Sequence, residues 1–268
     1  MTQKYLWTGI LFLLLFATIH AQETSDTNTI DSGVIVTDRP DQTESPTLVP
    51  KGLIQVETGF KYEAITADNL ESNTTTFNTT LVRYGLLDNL ELRLGIDIAE
   101  TKNSIRTLNL EDKFSGLSPL YLGFKIGITE EKGALPKIGF IGGVFLPFTA
   151  ATAYKPEGTG GDFRLSLEHT LSKNWTFAYN FGAAWNGDSS TISYVYTSAL
   201  GYSITDKLGC FLEIYGNFPE SDRANHLLDG GFTYLVSNTI QLDLSGGTGL
   251  NTNQDFFIST GISFRLPK

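Results

Sequence analysis

The stretch LELRLGIDIAE, residues 90–100, sets Glu91, Arg93 and Asp97 two or four positions apart. Acid and base at even spacing share one face of an extended chain. The same polar phase recurs elsewhere and collects Glu57, Lys61, Glu63, Arg83, Lys125, Arg164, Glu168, Glu213, Asp243 and Arg265. Side chains of both signs on one face can pair across strands and fix their register, or they can line a passage that selects polar solutes. Glu57 with Arg83, Glu91 with the neighbours of Arg93, and Asp243 with Arg265 are the expected pairs.

Other chemistry is poorly provided for. Outside the first twenty residues the histidines are His169 and His226. His226 stands beside Asp222 and Asp229, a setting for a general base, but no nucleophile motif such as G-x-S-x-G accompanies it. His169 falls on the apolar phase, near a turn. The chain has one cysteine, Cys210, so an internal disulfide is excluded, and no zinc or calcium spacing is present. Neither catalysis, a metal nor a cofactor is expected.

The elements that carry the charges are strands. In 90–100, Leu90, Leu92, Leu94, Ile96 and Ile98 share the face opposite Glu91, Arg93, Gly95 and Asp97. The segments PLYLGFKIGIT, DFRLSLEHTL, NWTFAYNFGAAW, TIQLDLSGG and FFISTGISFRL repeat the design. About twelve such segments run from 53–64 to 256–266, in keeping with the even strand numbers of bacterial barrels. Longer connections are expected at 65–74, 101–117, 148–161, 186–190, 219–226 and 250–255. Short turns such as LLDN, SKN, TDK and SN alternate with them, and that alternation marks outer loops and periplasmic turns.

A soluble sandwich or lipocalin-like barrel would use the same alternation with its apolar face inward. Three features favour a membrane barrel: long repetitive strands, aromatic residues such as Trp175 and Trp185 near segment ends, and many glycines on the polar face. The expected fold is therefore all-β: a transmembrane, antiparallel, up-and-down β-barrel of about 12 strands. A formal net charge of −10 argues against nucleic acid as a partner.

The amino terminus predicts export. Lys4 supplies a positive n-region, residues 6–19 an apolar core, and Ala21 a small residue for cleavage. Residues 1–21 read as a signal peptide, 22–52 as a periplasmic segment, and 53–268 as the barrel. The expected location is the outer membrane, and the expected partners are outer-membrane lipid, the barrel assembly machinery and a small-molecule solute.

The block TDRPDQTESPTLVPKGLIQVETGFKYE, followed by LVRYGLLDNLELRLGID and SPLYLGFKIGI, resembles the Putative MetA-pathway of phenol degradation family. The resemblance runs from Ile35 to the C-terminus and implies an outer-membrane β-barrel that passes small hydrophobic or aromatic molecules. It implies no catalytic residues. Within the block, Pro40, Pro46 and Pro50 bar a helix interior or a continuous ladder. Two placements fit Asp38, Arg39, Asp41 and Glu44: folded into the periplasmic opening as a plug or gate, with Arg39 on inward carboxylates, or solvated as a leader. The function expected is a passive channel for small molecules; the alternative is a non-conducting barrel whose lumen is filled by ion pairs.

Overall fold

The computed structural model describes residues 33–266, apart from 106, 190 and 221. The expected signal peptide lies outside the described residues, as do residues 22–32. The chain forms thirteen strands: β1 (Ile54–Ala67), β2 (Leu70–Leu87), β3 (Leu90–Ile105), β4 (Leu110–Leu117), β5 (Leu120–Thr129), β6 (Lys137–Leu146), β7 (Gly160–Thr170), β8 (Trp175–Trp185), β9 (Ser193–Ser203), β10 (Leu208–Pro219), β11 (Asn225–Ser237), β12 (Ile240–Gly249) and β13 (Gln254–Arg265). Two short 3-10 turns, Pro147–Thr149 and Thr152–Tyr154, sit between β6 and β7.

Each strand is antiparallel to its neighbours, β13 returns to β1, and β2 joins β3. The sheet is thereby closed, which removes the unpaired edge that lipid could not satisfy. Strands β4 and β5 share one position. β5 pairs with residues 90–95 of β3 and β4 with residues 98–105. Pro119 interrupts them, since it has no N–H to give a ladder. The thirteen strands thus make a twelve-strand barrel.

Two expected connections are corrected. Residues 65–74 and most of 101–117 are strand, and β1 turns into β2 through Asp68 and Asn69 alone. Asp68 has φ 53°, a left-handed conformation that Asp tolerates. The Thr- and Asn-rich run 72–80 lacks alternation of apolar and polar residues, yet threonine still favours strands. Thr74 and Thr101 share a cross-strand hydrogen bond of 3.1 Å.

The two faces of the wall reverse the burial of a soluble protein. On β10, Leu212 is 60% exposed while its neighbour Glu213 is 1% exposed. Leucines such as Leu122 and Leu244 point outward, and Glu57, Arg83, Glu91 and Lys125 point into the lumen and are buried. An outward apolar belt with an inward charged core suits lipid outside and polar contacts inside. Trp175 packs against Tyr202 with tilted rings, centroids 4.5 Å apart, at the short-turn end. Tyr196, Phe218 and His226 cluster near the long-loop end.

Inward glycines make room for large side chains. A Cβ on Gly123 would sit 2.7 Å from the Tyr121 ring, and one on Gly143 would strike the same ring. Gly143→Ala should therefore displace Tyr121 and lower stability by about 1–3 kcal/mol, the usual cost of overpacking. A urea midpoint in detergent equal to that of the native chain would contradict this.

Candidate functional site

Residues 33–53 precede β1 and form no helix or strand of their own. Such a segment must find other partners for its backbone groups, because unpaired buried amides are costly. The inward side chains of the barrel supply them. Glu57 Oε2 accepts from the amides of Asp38 and Arg39 at 2.9 and 3.1 Å. Glu213 Oε2 accepts from Gln42 N at 2.7 Å, Asn180 Oδ1 from Glu44 N at 2.8 Å, and Glu91 Oε2 from Val49 N at 2.9 Å. Carbonyls are matched in the same way. Gln55 Nε2 donates to Val36 O at 2.8 Å, Lys125 Nζ to Ser45 O at 2.7 Å, and Arg83 Nη2 to Thr47 O at 2.9 Å. The segment lies inside the lumen, held by side chains from strands around the ring.

At its centre is an ion cluster. Asp38 accepts from Lys125 Nζ at 2.8 and 2.9 Å and from Arg93 Nη1 at 2.6 Å, and it lies 3.3 Å from Arg83 Nη1. Arg83 also meets Glu57 at 2.8 Å and Glu91 at 2.7 Å. Arg93 reaches Glu44 at 2.6 Å and Glu91 at 3.4 Å. Buried charges are tolerated only when paired and hydrogen-bonded, and Asp38 supplies the shared counter-charge. Burial pushes the Asp38 carboxyl upward, but Arg83, Lys125 and Arg93 outweigh it and hold it well below the usual carboxylate range.

Arg39 lies across the lumen. Its guanidinium pairs with Asp243 at 2.9 Å and donates to Thr79 Oγ1 and Ser259 Oγ at 2.8 and 3.0 Å. Gly59 and Gly261 leave the space it fills: a Cβ on either would come within 2.6 Å of a guanidinium nitrogen.

An acidic group stands beyond it. Glu213 and Asp229 face one another across β10 and β11, and both are buried. Among the described residues no N–H or hydroxyl donor reaches either oxygen of Asp229, whose carboxyl lies against that of Glu213. Burial, then Glu213, Asp229 and Asp38, push the Asp41 carboxyl well above its usual range. A carboxyl raised in the folded state binds protons that the unfolded chain has released. Its stabilisation is complete at low pH and fades as pH rises through the folded value. Seating of the segment should thus weaken above the ordinary carboxylate range. Hydrogen exchange at the amides of Gln42 and Glu44, corrected for intrinsic rate, should quicken with pH, and Asp41→Asn should reduce that dependence. An unchanged dependence in the variant would contradict the assignment.

The other residues singled out by spacing fall as follows. Lys61 pairs with Glu63 at 3.3 Å and lies 5.1 Å above the Phe257 ring. Asp97 is inward in phase but open to solvent, and Glu168 is half-buried. Arg164 pairs with Asp162 at 3.4 Å. Arg265 donates to Gly33 O at 3.2 Å. Asp243 pairs with Arg39, not with Arg265 as expected. Gly261, rather than Arg265, faces Asp243 in the register, and four residues of strand put Arg265 about 13 Å away.

The His226 and Asp229 setting is also corrected. His226 Nδ1 meets Tyr196 Oη at 2.7 Å on the outer face, while Asp229 points into the lumen, because odd and even positions of a strand part to opposite sides. Asp162 and the lumen position of Asp229 were missed. Asp229 has apolar residues on both of its phases, so alternation could not place it, although its register opposite Glu213 could. The neutral holders Gln55, Asn180 and Ser166 carried no charge to mark them.

The chain matches the family described as Putative MetA-pathway of phenol degradation over residues 37–266. No curated protein matches it. Among solved structures it is similar to an outer membrane channel from Pseudomonas putida F1, at 16% identity and a TM-score of 0.63, covering 81% of this chain and 96% of that one. The transport unit of the autotransporter AIDA-I from Escherichia coli is similar at 7% identity and TM-score 0.54, with 81% and 91% covered. The KdgM porin gives 7% identity and TM-score 0.53, with 78% and 98% covered. At these identities the likeness is one of fold.

Proposed function

The chain belongs to the Putative MetA-pathway of phenol degradation family, and from that premise we propose that it is an outer-membrane channel for passive passage of small molecules with aromatic or hydrophobic bodies, gated by residues 33–53. The observation that carries the reading is the filling of the lumen. Its occupant is a stretch of chain held by hydrogen bonds and ion pairs, not a packed apolar core. Polar contacts exchange with water at modest net cost, so such a segment is displaceable where an interlocked core is not. Passage is passive, and direction follows the solute gradient. The barrel would be inserted by the assembly machinery of the outer membrane and surrounded by its lipid.

The filled lumen also favours a second reading, a non-conducting barrel whose long loops meet a partner. Planar-bilayer recording of the refolded chain separates the two. A gated channel gives brief, small conductance steps, since the segment closes the bore most of the time. A barrel that stays silent under all conditions, with the segment present or removed, retires the channel.

A further inference from the structure

A cavity of about 420 Å³ opens above the segment at the long-loop end. Its wall comes from the upper ends of β1, β9, β10, β11 and β13, and its floor from Gln42 and Arg164. The volume lies in the range of small-molecule sites. Ile65, Val195, Tyr215 and Leu227 give it an apolar side. Amides of Asn217, Asn225 and Gln254 face them. Among the described residues lining it, Arg164 alone is charged.

Polar groups here are loosely matched. Arg164 Nε is buried and makes no hydrogen bond among the described residues, only a long ion pair of 3.4 Å with Asp162 Oδ2, and Gln254 Oε1 is buried and accepts none. Arg164 Nη1 reaches Gln42 O at 3.3 Å, also long. A guanidinium so held still has a fork of donors for a planar anion. An apolar wall across from it fits the body of the same molecule.

We infer that this cavity is a binding site for small amphipathic carboxylates, with the carboxylate on Arg164 and the aromatic or alkyl body against Tyr215, Leu227, Val195 and Ile65. The inference rests on the channel reading for its purpose and not for its geometry. Because Arg164 also holds Gln42, the ligand competes with the segment for the same guanidinium.

The test uses the full chain refolded in nanodiscs, with 4-propylbenzoate, 4-propylbenzamide and 4-propylbenzylammonium as probes, and empty nanodiscs to subtract partition into lipid. Calorimetry should show the acid binding at least about tenfold more tightly than the amide, the gain usual for a hydrogen bond to a charged group. The ammonium should bind most weakly. Arg164→Gln should erase the preference and Arg164→Lys should keep part of it. Equal binding of acid and amide to the native chain overturns the proposal, even if neither variant folds. A preference that survives Arg164→Gln overturns it too. A chain that binds the acid but passes no solute retires the channel and leaves the site. A chain that conducts without preferring the acid retires the site alone.

Discussion

Deleting residues 33–50 should raise the single-channel conductance several-fold and replace brief openings with a steadily open state. The deletion removes Asp38, Arg39, Asp41 and Glu44, together with the backbone that spans the lumen between Glu57, Glu91, Asn180 and Glu213. No strand is lost, since β1 begins at Ile54. The barrel should therefore still close and still resist unfolding in detergent until heated. The charges left behind do not become orphans. Water enters with the departure of the segment, and Arg83, Arg93 and Lys125 exchange Asp38 for hydration. A deletion that folds but conducts as the full chain does would assign residues 33–50 a role other than occlusion.

Replacing Asp38 alone should be worse for stability than removing the whole segment. In Asp38→Ala the segment stays in the lumen and keeps water out, yet Lys125, Arg93 and Arg83 lose the carboxylate that three of them share. Taking one partner from a buried ion cluster costs about 3–5 kcal/mol, because the remaining charges stay desolvated. Exposed pairs behave differently. Lys51 with Asp88, at 3.9 Å and largely in solvent, belongs to the class worth about 0–1 kcal/mol. Urea unfolding of the refolded variant in detergent should show the loss. A stability change under about 1 kcal/mol, the scale of a surface pair, would mean that Asp38 is not the keystone of the cluster.

The belt of the barrel was legible because two solvents enforce it. Lipid on one side and a polar lumen on the other make every second residue change character, as in residues 90–98. Toward the long-loop end that constraint lapses, and residues 70–74, 101–105 and 110–117 read as loop although they are strand. Part of the site was legible for the same reason: the phase of Glu57, Arg83, Glu91, Arg93, Lys125 and Glu213 follows from periodicity. Their partners did not follow. A polar stretch with three prolines shows on paper that it cannot form a ladder. It does not show that its amides will be met by glutamates from β1, β3 and β10. Asp243 illustrates the limit, since its partner depended on register and on a segment two hundred residues away.

Locking the segment in place tests the gate most directly. Thr43 Oγ1 and Thr197 Oγ1 lie 2.7 Å apart, one on the segment and one on β9. A chain carrying Thr43→Cys and Thr197→Cys, with Cys210→Ser to remove the native thiol, should form a cross-link on oxidation. Conductance should fall to the baseline of the bare bilayer when oxidised and return on reduction, while the single-cysteine controls respond to neither. Conductance that is the same in the cross-linked and the reduced protein would contradict a gate made of residues 33–53.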